Sequence, residues 1–234
     1  MKTILITGAC GGIGRCLVRE YLQRGYTVFA ADIAVHEAIA SPAAEERERL
    51  FFRQTDISDA GDVAEMSAWL REKTDRLDIL LNGAGVLWKQ SERQLEDFDI
   101  ESALPMYSIN ALGPLRVVQA LADLLRRGED KLLMYLSSEA GSITTHADYI
   151  KRYDYCMSKA AVNMQGVILQ RYLKPDGIKV LLVHPGWVRT PMGGDDAPLT
   201  PEESAAGIAA LGERYMHRLD EGMYFDYDGS PRAW

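Results

Sequence analysis

Lys2-Thr3-Ile4-Leu5-Ile6-Thr7-Gly8-Ala9-Cys10-Gly11-Gly12-Ile13-Gly14 is the stretch from which the fold is read. Lys2 to Ile6 has the character of a short buried strand, and a glycine-rich turn follows at once. From Ile13 to Arg24 the apolar residues Ile13, Leu17, Val18, Tyr21 and Leu22 recur at helical spacing. Strand, glycine turn and helix together form a dinucleotide-binding context, far more specific than glycines alone. Gly8 permits a tight turn, and Gly12 and Gly14 permit close approach of backbone, pyrophosphate and strand. The helix start then offers unpaired N–H groups and partial positive charge to phosphates.

The alternation continues along the chain. Strands are expected at Lys2–Ile6, Thr27–Ala31, Leu50–Gln54, Ile79–Asn82, Lys131–Leu136, Lys179–Val183 and Met223–Phe225. Helices are expected at Ile13–Arg24, Asp62–Lys73, Ala111–Arg126, Tyr155–Leu173 and Pro201–Tyr215. This order predicts an α/β fold, a Rossmann-type doubly wound parallel sheet with helices on both faces. No repeat or compositional shift divides the chain, so residues 1–234 are read as a single domain. Ser41–Arg49 reads as a short exposed helix or a solvated connector. Ligands of such sheets bind beyond the carboxyl ends of the strands, where strand order reverses.

Composition excludes several classes. The 47% hydrophobic and 26% charged content is that of an ordinary globular protein. A net charge of −8 argues against a nucleic-acid partner. No apolar run approaches the ~20 residues of a membrane span, so no membrane association is expected. The run Ile4–Ile6 ends in the glycine turn and reads as the first strand rather than a signal peptide. The three cysteines, Cys10, Cys16 and Cys156, form neither a disulfide framework nor a metal set, which fits a reducing cytoplasm. His36, His146, His184 and His217 lack ligand spacing, and no metal is expected.

Tyr155-Cys156-Met157-Ser158-Lys159 carries the chemistry. On a helix this spacing stacks phenol and ammonium on one face, one turn apart. A free tyrosine titrates near ~10. A fixed cation nearby favours the phenolate. A drop of about 3 units, roughly 4 kcal/mol, brings the group near working pH as proton donor and acceptor.

The N-terminal Thr-Gly-x-x-x-Gly-x-Gly together with Tyr-x-x-x-Lys resembles the short-chain dehydrogenase/reductase family. Asn82-Gly83-Ala84-Gly85, Ser138 ahead of Gly141, and Pro185-Gly186-Trp187-Val188-Arg189-Thr190 extend the resemblance over essentially the whole chain. Tyr153–Asn163, Pro185–Gly194 and Asp226-Tyr227-Asp228-Gly229 look like the carbonyl-reductase branch of C-factor type. The resemblance implies an oxidoreductase that moves a hydride between a nicotinamide cofactor and a carbonyl or secondary alcohol. Tyr155 is then the general acid/base, and Lys159 holds nicotinamide-ribose hydroxyls. Ser138, selected over Ser137 by its distance from Gly141, donates to the substrate oxygen. Asn110 holds a water that links the lysine to solvent.

Expected cofactor contacts are Thr7, Gly8, Gly11, Gly12, Ile13, Gly14, Asp32, Asp56, Ile57, Asn82, Ala84, Gly85, Tyr155, Lys159, Pro185, Gly186, Val188 and Thr190. Gly83 stands where the family motif usually has a second Asn. Asp32, at the end of the second strand, can accept from both adenosine-ribose hydroxyls and would repel a 2′-phosphate. Gly11, Ile33 and Ala34 add no positive charge. NAD(H) is therefore expected rather than NADP(H), a departure from the resembled branch.

The leading reading is an NAD(H)-dependent alcohol dehydrogenase or carbonyl reductase acting on a small molecule. The alternatives are an NADPH-dependent carbonyl reductase and, from another class, a non-catalytic dinucleotide-sensing protein. The spacing from Ser138 to Tyr155 is longer than the family's, with the extra residues around 143–149. Trp88, Tyr149, Tyr153 and Trp187 are candidates for an aromatic substrate wall. Val117, Val118, Leu121 and Leu124 on one helix and Ala161, Met164, Ile168 and Leu169 on the next predict a homodimer or homotetramer.

Overall fold

The strands are β1 (Thr3–Thr7), β2 (Thr27–Asp32), β3 (Leu50–Gln54), β4 (Ile79–Asn82), β5 (Leu132–Leu136), β6 (Lys179–His184) and β7 (Tyr224–Asp226). The computed structural model describes residues 1–40, 43–145 and 150–234. All seven strands join one parallel sheet in the order β3-β2-β1-β4-β5-β6-β7. The order reverses between β1 and β4, where Thr7 stands in register with Asn82.

The helices are α1 (Gly12–Gln23), α2 (Glu37–Ala40), α3 (Ala60–Lys73), α4 (Ala103–Tyr107), α5 (Gly113–Arg126), α6 (Tyr153–Leu173) and α7 (Pro201–Tyr215). Successive strand residues face opposite sides of the sheet. Ile4 and Ile6 therefore pack with Leu17 and Val18 of α1 and Ile208 of α7. Leu5 packs on the other face with α3, α5 and α6. Cover on both faces explains why β1 is buried at every position.

The sequence expectation holds for all seven strands and for the five long helices, and the differences have local causes. Lys131 takes a left-handed conformation (φ 52°), so β5 starts one residue late. Asp59 caps α3 by accepting from Asp62 N–H, which starts that helix at Ala60. Helix is expected from Ala111, but α4 runs on through a π-helical turn, Ser108–Leu112, into α5. The connector expected at Ser41–Arg49 is a run of turns from residue 44, with residues 41–42 outside those described. Residues 146–149 of the expected insertion, including Tyr149, also lie outside them.

Candidate functional site

Gly8 (φ 70°) turns the chain as it leaves β1. A Cβ there would lie 2.6 Å from Ala84 N, and one on Gly14 would lie 1.9 Å from Gly8 O. Thr7, fully buried, locks the turn to the chain leaving β4 by accepting from Gly83 N–H (3.2 Å) and Ala84 N–H (3.4 Å). Gly11 precedes α1 without supplying a side-chain cap, so the first-turn N–H groups face outward for an anion. A Cβ on Gly12 would meet Thr190 Cγ2 at 2.6 Å.

This turn forms one side of a cleft of about 580 Å³, a size suited to a small-molecule cofactor. Of the expected contacts, Gly8, Gly11, Gly12, Ile13, Gly14, Asp32, Asp56, Ile57, Ala84, Gly85, Tyr155, Lys159, Pro185 and Thr190 line it. Thr7, Asn82, Asn110, Ser138, Gly186 and Val188 lie outside the lining. Gly186 (φ 85°) makes the bend that returns the chain after β6. Val188 is buried and bridges to Leu199. Asn82 is buried on β4 with neither amide atom hydrogen-bonded among the described residues.

Each carboxylate is held. Asp32 accepts from Cys10 N–H (2.8 Å) and Ala34 N–H (3.2 Å), which ties the end of β2 to the glycine turn. Asp56 accepts from the N–H (2.8 Å) and hydroxyl (2.7 Å) of Ser58. Burial pushes the Cys10 thiol up from its ordinary pKa, in keeping with a packing role.

Tyr155 and Lys159 share the buried face of α6, and the Lys159 ammonium lies 5.7 Å from the centre of the Tyr155 ring. Lys159 Nζ donates to Leu136 O at the end of β5 (2.9 Å). Burial lowers its pKa from 10.5 to about 8. Asn110 lies in the π-helical turn, where such bulges often serve a site. Its amide accepts from Val86 N–H (2.8 Å) and donates to Val86 O (2.9 Å) and Ser158 Oγ (3.1 Å). Ser137 donates to Asn163 (2.5 Å), whereas Ser138 Oγ accepts from Ala140 N–H (3.2 Å) and keeps its own proton to donate.

The model for short chain dehydrogenases matches residues 2–198. The chain belongs to the short-chain dehydrogenase family. It is therefore an oxidoreductase that works with a nicotinamide dinucleotide. It is 38% identical over 163 residues to the C-signal of Myxococcus xanthus, spanning 69% of this chain and 95% of that protein. A 1-hydroxy-2-glutathionyl-2-methyl-3-butene dehydrogenase of Rhodococcus sp. is 33% identical over 218 residues, 89% of each chain. Among solved structures, the carbonyl reductase Sniffer of D. melanogaster superposes with a TM-score of 0.91 at 26% identity, covering all of both chains. A short-chain dehydrogenase/reductase from Burkholderia multivorans with bound NADP gives 0.84 at 29% identity, over 100% of this chain and 99% of that one.

The glycine cradle, the uncapped start of α1 and the cleft volume fit the family's dinucleotide. Among the described residues no helix is long and apolar enough to cross a membrane, and no cluster of three or more His, Cys, Asp or Glu could hold a metal. Of the candidate aromatic wall, Tyr149 lies outside the described residues and the other three are not gathered on one surface. Trp88 packs in a cluster with Tyr155, but Tyr153 lies against Phe98 (5.5 Å) and the Trp187 indole donates to Gly193 O (2.7 Å). Sequence reasoning missed Val86, Ile109, Leu136 and Met192, which line the cleft without any motif signal.

A buried ammonium without a carboxylate beside it costs stability, here roughly 3 kcal/mol from the size of the pKa shift. The unfolded lysine titrates near ~10.4. Between about 8 and that value the unfolded state holds the extra proton, so wild-type stability rises with pH. Lys159→Met is thus expected to melt several degrees higher than wild type at pH 7, with the gain shrinking above about pH 8. Thermal melts at pH 7 and pH 9.5 check this; a lower melting point at pH 7, or a gain independent of pH, contradicts it.

Proposed function

We propose that this protein interconverts a carbonyl compound and its alcohol, with Tyr155 as general acid/base. The observation that carries the reading is that Tyr155 and Lys159 line the same cleft as the glycine turn. The bound nicotinamide supplies or accepts the hydride. Tyr155 delivers a proton to the substrate oxygen during reduction and removes it during oxidation. Ser138 donates a hydrogen bond to that oxygen as negative charge grows on it. Lys159, protonated, favours the phenolate and holds ribose hydroxyls. Asn110 keeps Val86 and the catalytic helix in register, which leaves open a linking water beside it. Asp56 and Thr190 serve the adenine and carboxamide ends.

For the cofactor we propose NAD(H). Asp32 lines the cleft, fixed at the end of β2 by two backbone N–H groups, and Ile33, Ala34 and Val35 beside it bring no positive charge. A 2′-phosphate there would face a carboxylate. The Burkholderia structure carries NADP and a chicken fatty-liver carbonyl reductase carries NADPH; Asp32 is what favours NAD(H) in this chain. The three free thiols support a cytoplasmic setting.

Self-association is proposed through α6. The α5 stripe of Val117, Val118, Leu121 and Leu124 is used up against the sheet. On α6, however, Met157, Met164, Ile168 and Tyr172 form an exposed apolar stripe at helical spacing.

The carbonyl reading is tested with a panel of aldehydes, ketones and secondary alcohols, followed by nicotinamide absorbance. Tyr155→Phe is expected to lose at least ~10²-fold in turnover while still binding cofactor. Near-normal turnover would remove the tyrosine from the mechanism. Fluorescence titration should give tighter binding of NADH than NADPH, with the order moved toward NADPH by Asp32→Ser; equal or tighter NADPH binding by wild type would remove the NAD(H) assignment. Light scattering at micromolar concentration should exceed the 26.1 kDa of one chain and fall toward it in Met164→Glu/Ile168→Glu. A monomeric wild type rejects the α6 interface.

A further inference from the structure

Asp154 stands immediately before Tyr155, yet the chemistry above gives its carboxylate nothing to do. It is 0% exposed. One oxygen accepts from the Ser91 hydroxyl (2.8 Å) and the other from Tyr155 N–H (2.8 Å); Ser91 is also 0% exposed. Helix starts favour carboxylates, but an exposed one serves the helix equally and avoids desolvation. Its burial calls for a reason beyond helix capping.

Two observations supply one. Arg152, just ahead of α6, adopts a left-handed conformation (φ 61°, ψ 38°) that residues with side chains seldom take. Such strain persists where the surroundings over-determine it, and it collects at functional sites. Here Arg152 N–H donates to Ser91 O (2.9 Å) and its guanidinium pairs with Glu92. Ser91 thus grips the start of α6 with both its hydroxyl and its carbonyl. At the other end of the same segment, Asn110 holds Val86 by N–H and C=O together. Between these anchors, Leu87 and Trp88 pack in the cluster that contains Tyr155.

We propose that Ser91 and Asp154 form a buried staple that fixes the first turn of α6 to the segment Val86–Glu92. Asp154 is then a positioning residue for Tyr155, and Leu87 and Trp88 are held as an apolar wall beside the reacting carbonyl. This rests on the assignment of Tyr155 as the proton donor. The staple acts mainly at the reacting end, because the glycine turn that cradles the pyrophosphate stands on other elements.

The test compares Ser91→Ala, Asp154→Ala and Asp154→Asn in the full chain, using the fastest carbonyl of the panel, cofactor titration and hydrogen exchange. Both alanine variants are expected to lose about 10- to 100-fold in kcat, the scale of a small misplacement of a reacting group, with cofactor Kd within about twofold. Asp154→Asn, which can still accept from Ser91, should recover most of the loss. Backbone exchange across 86–92 should accelerate in both alanine variants while residues 8–14 stay protected. That exchange measurement needs no substrate and keeps Ser91→Ala informative if Asp154→Ala folds poorly. Unchanged exchange across 86–92, or wild-type kcat in Ser91→Ala and Asp154→Ala, overturns the staple. So does loss of cofactor binding in parallel with turnover, which marks a merely structural role. If Tyr155→Phe is fully active, the catalytic reading fails whatever the staple does; if it is inactive while the alanine variants turn over normally, the staple alone fails.

Discussion

The close approach of the glycine turn to the chain leaving β4 is the constraint from which the site follows. Thr7 Oγ1 takes N–H groups from both Gly83 and Ala84. A Cβ on Gly8 would meet Ala84 N at 2.6 Å, and one on Gly83 would meet Thr7 O at 2.8 Å. The two chain segments can lie this close because Gly8 and Gly83 carry no Cβ at the points of approach. Gly83, where the family motif usually carries Asn, is therefore required by the seam as this chain builds it. Because strand order reverses at the same place, the connections leave toward opposite faces and a crevice opens between them. Gly8 and Gly11–Gly14 on one side and Gly83–Val86 on the other enter the cleft lining directly from that seam.

Lys159 lines that crevice at a thermodynamic loss. Its ammonium is buried, bonded to a backbone carbonyl, and lowered to about 8 by desolvation. A nearby carboxylate would remove the loss but also cancel the positive field at Tyr155. The neutral carbonyl of Leu136 fixes the ammonium without neutralising it. Asn110 works in the same way, since an amide can hold Val86 and Ser158 without adding charge. The groups that hold Lys159 and Asn110 in place are thus neutral dipoles, which leave the ammonium its charge.

The glycine turn and the Tyr155–Lys159 pair were legible because each is local: strand, turn and helix signals lie within a dozen residues, and a spacing of four maps directly onto one helix face. That the sheet is parallel followed from the alternation of strands and helices. What was not legible depends on contacts between distant segments. The helix around Asn110 reads as starting at Ala111, and nothing local announces a π-helical turn whose asparagine is bonded to Val86. Ser91 and Asp154 are separated by 63 residues, and each alone reads as an ordinary turn or helix-start residue. The α5 stripe was visible as apolar, but whether it faces the sheet or a second copy is decided by packing against α3 and β4, which periodicity does not encode.

Buried charge and strained backbone occur at both edges of the sheet, and the two edges use them differently. Just before β4 and at the start of β6, Asp78 and Lys179 are fully buried and bonded to backbone groups, and Lys131 is left-handed ahead of β5. Around Tyr155 lie another buried ammonium, another buried carboxylate, a left-handed arginine and a π-helical turn. The dinucleotide end is made instead from backbone N–H groups and small residues, held by ordinary strand and helix geometry. Holding a dinucleotide needs only such a cradle. Proton transfer needs side chains held against their local preferences, and such strain survives only when the surrounding contacts are stronger than the preferences they oppose. At the reacting end the segment Val86–Glu92, held by Asn110 at one end and through Ser91 at the other, supplies contacts of that kind against the first turn of α6.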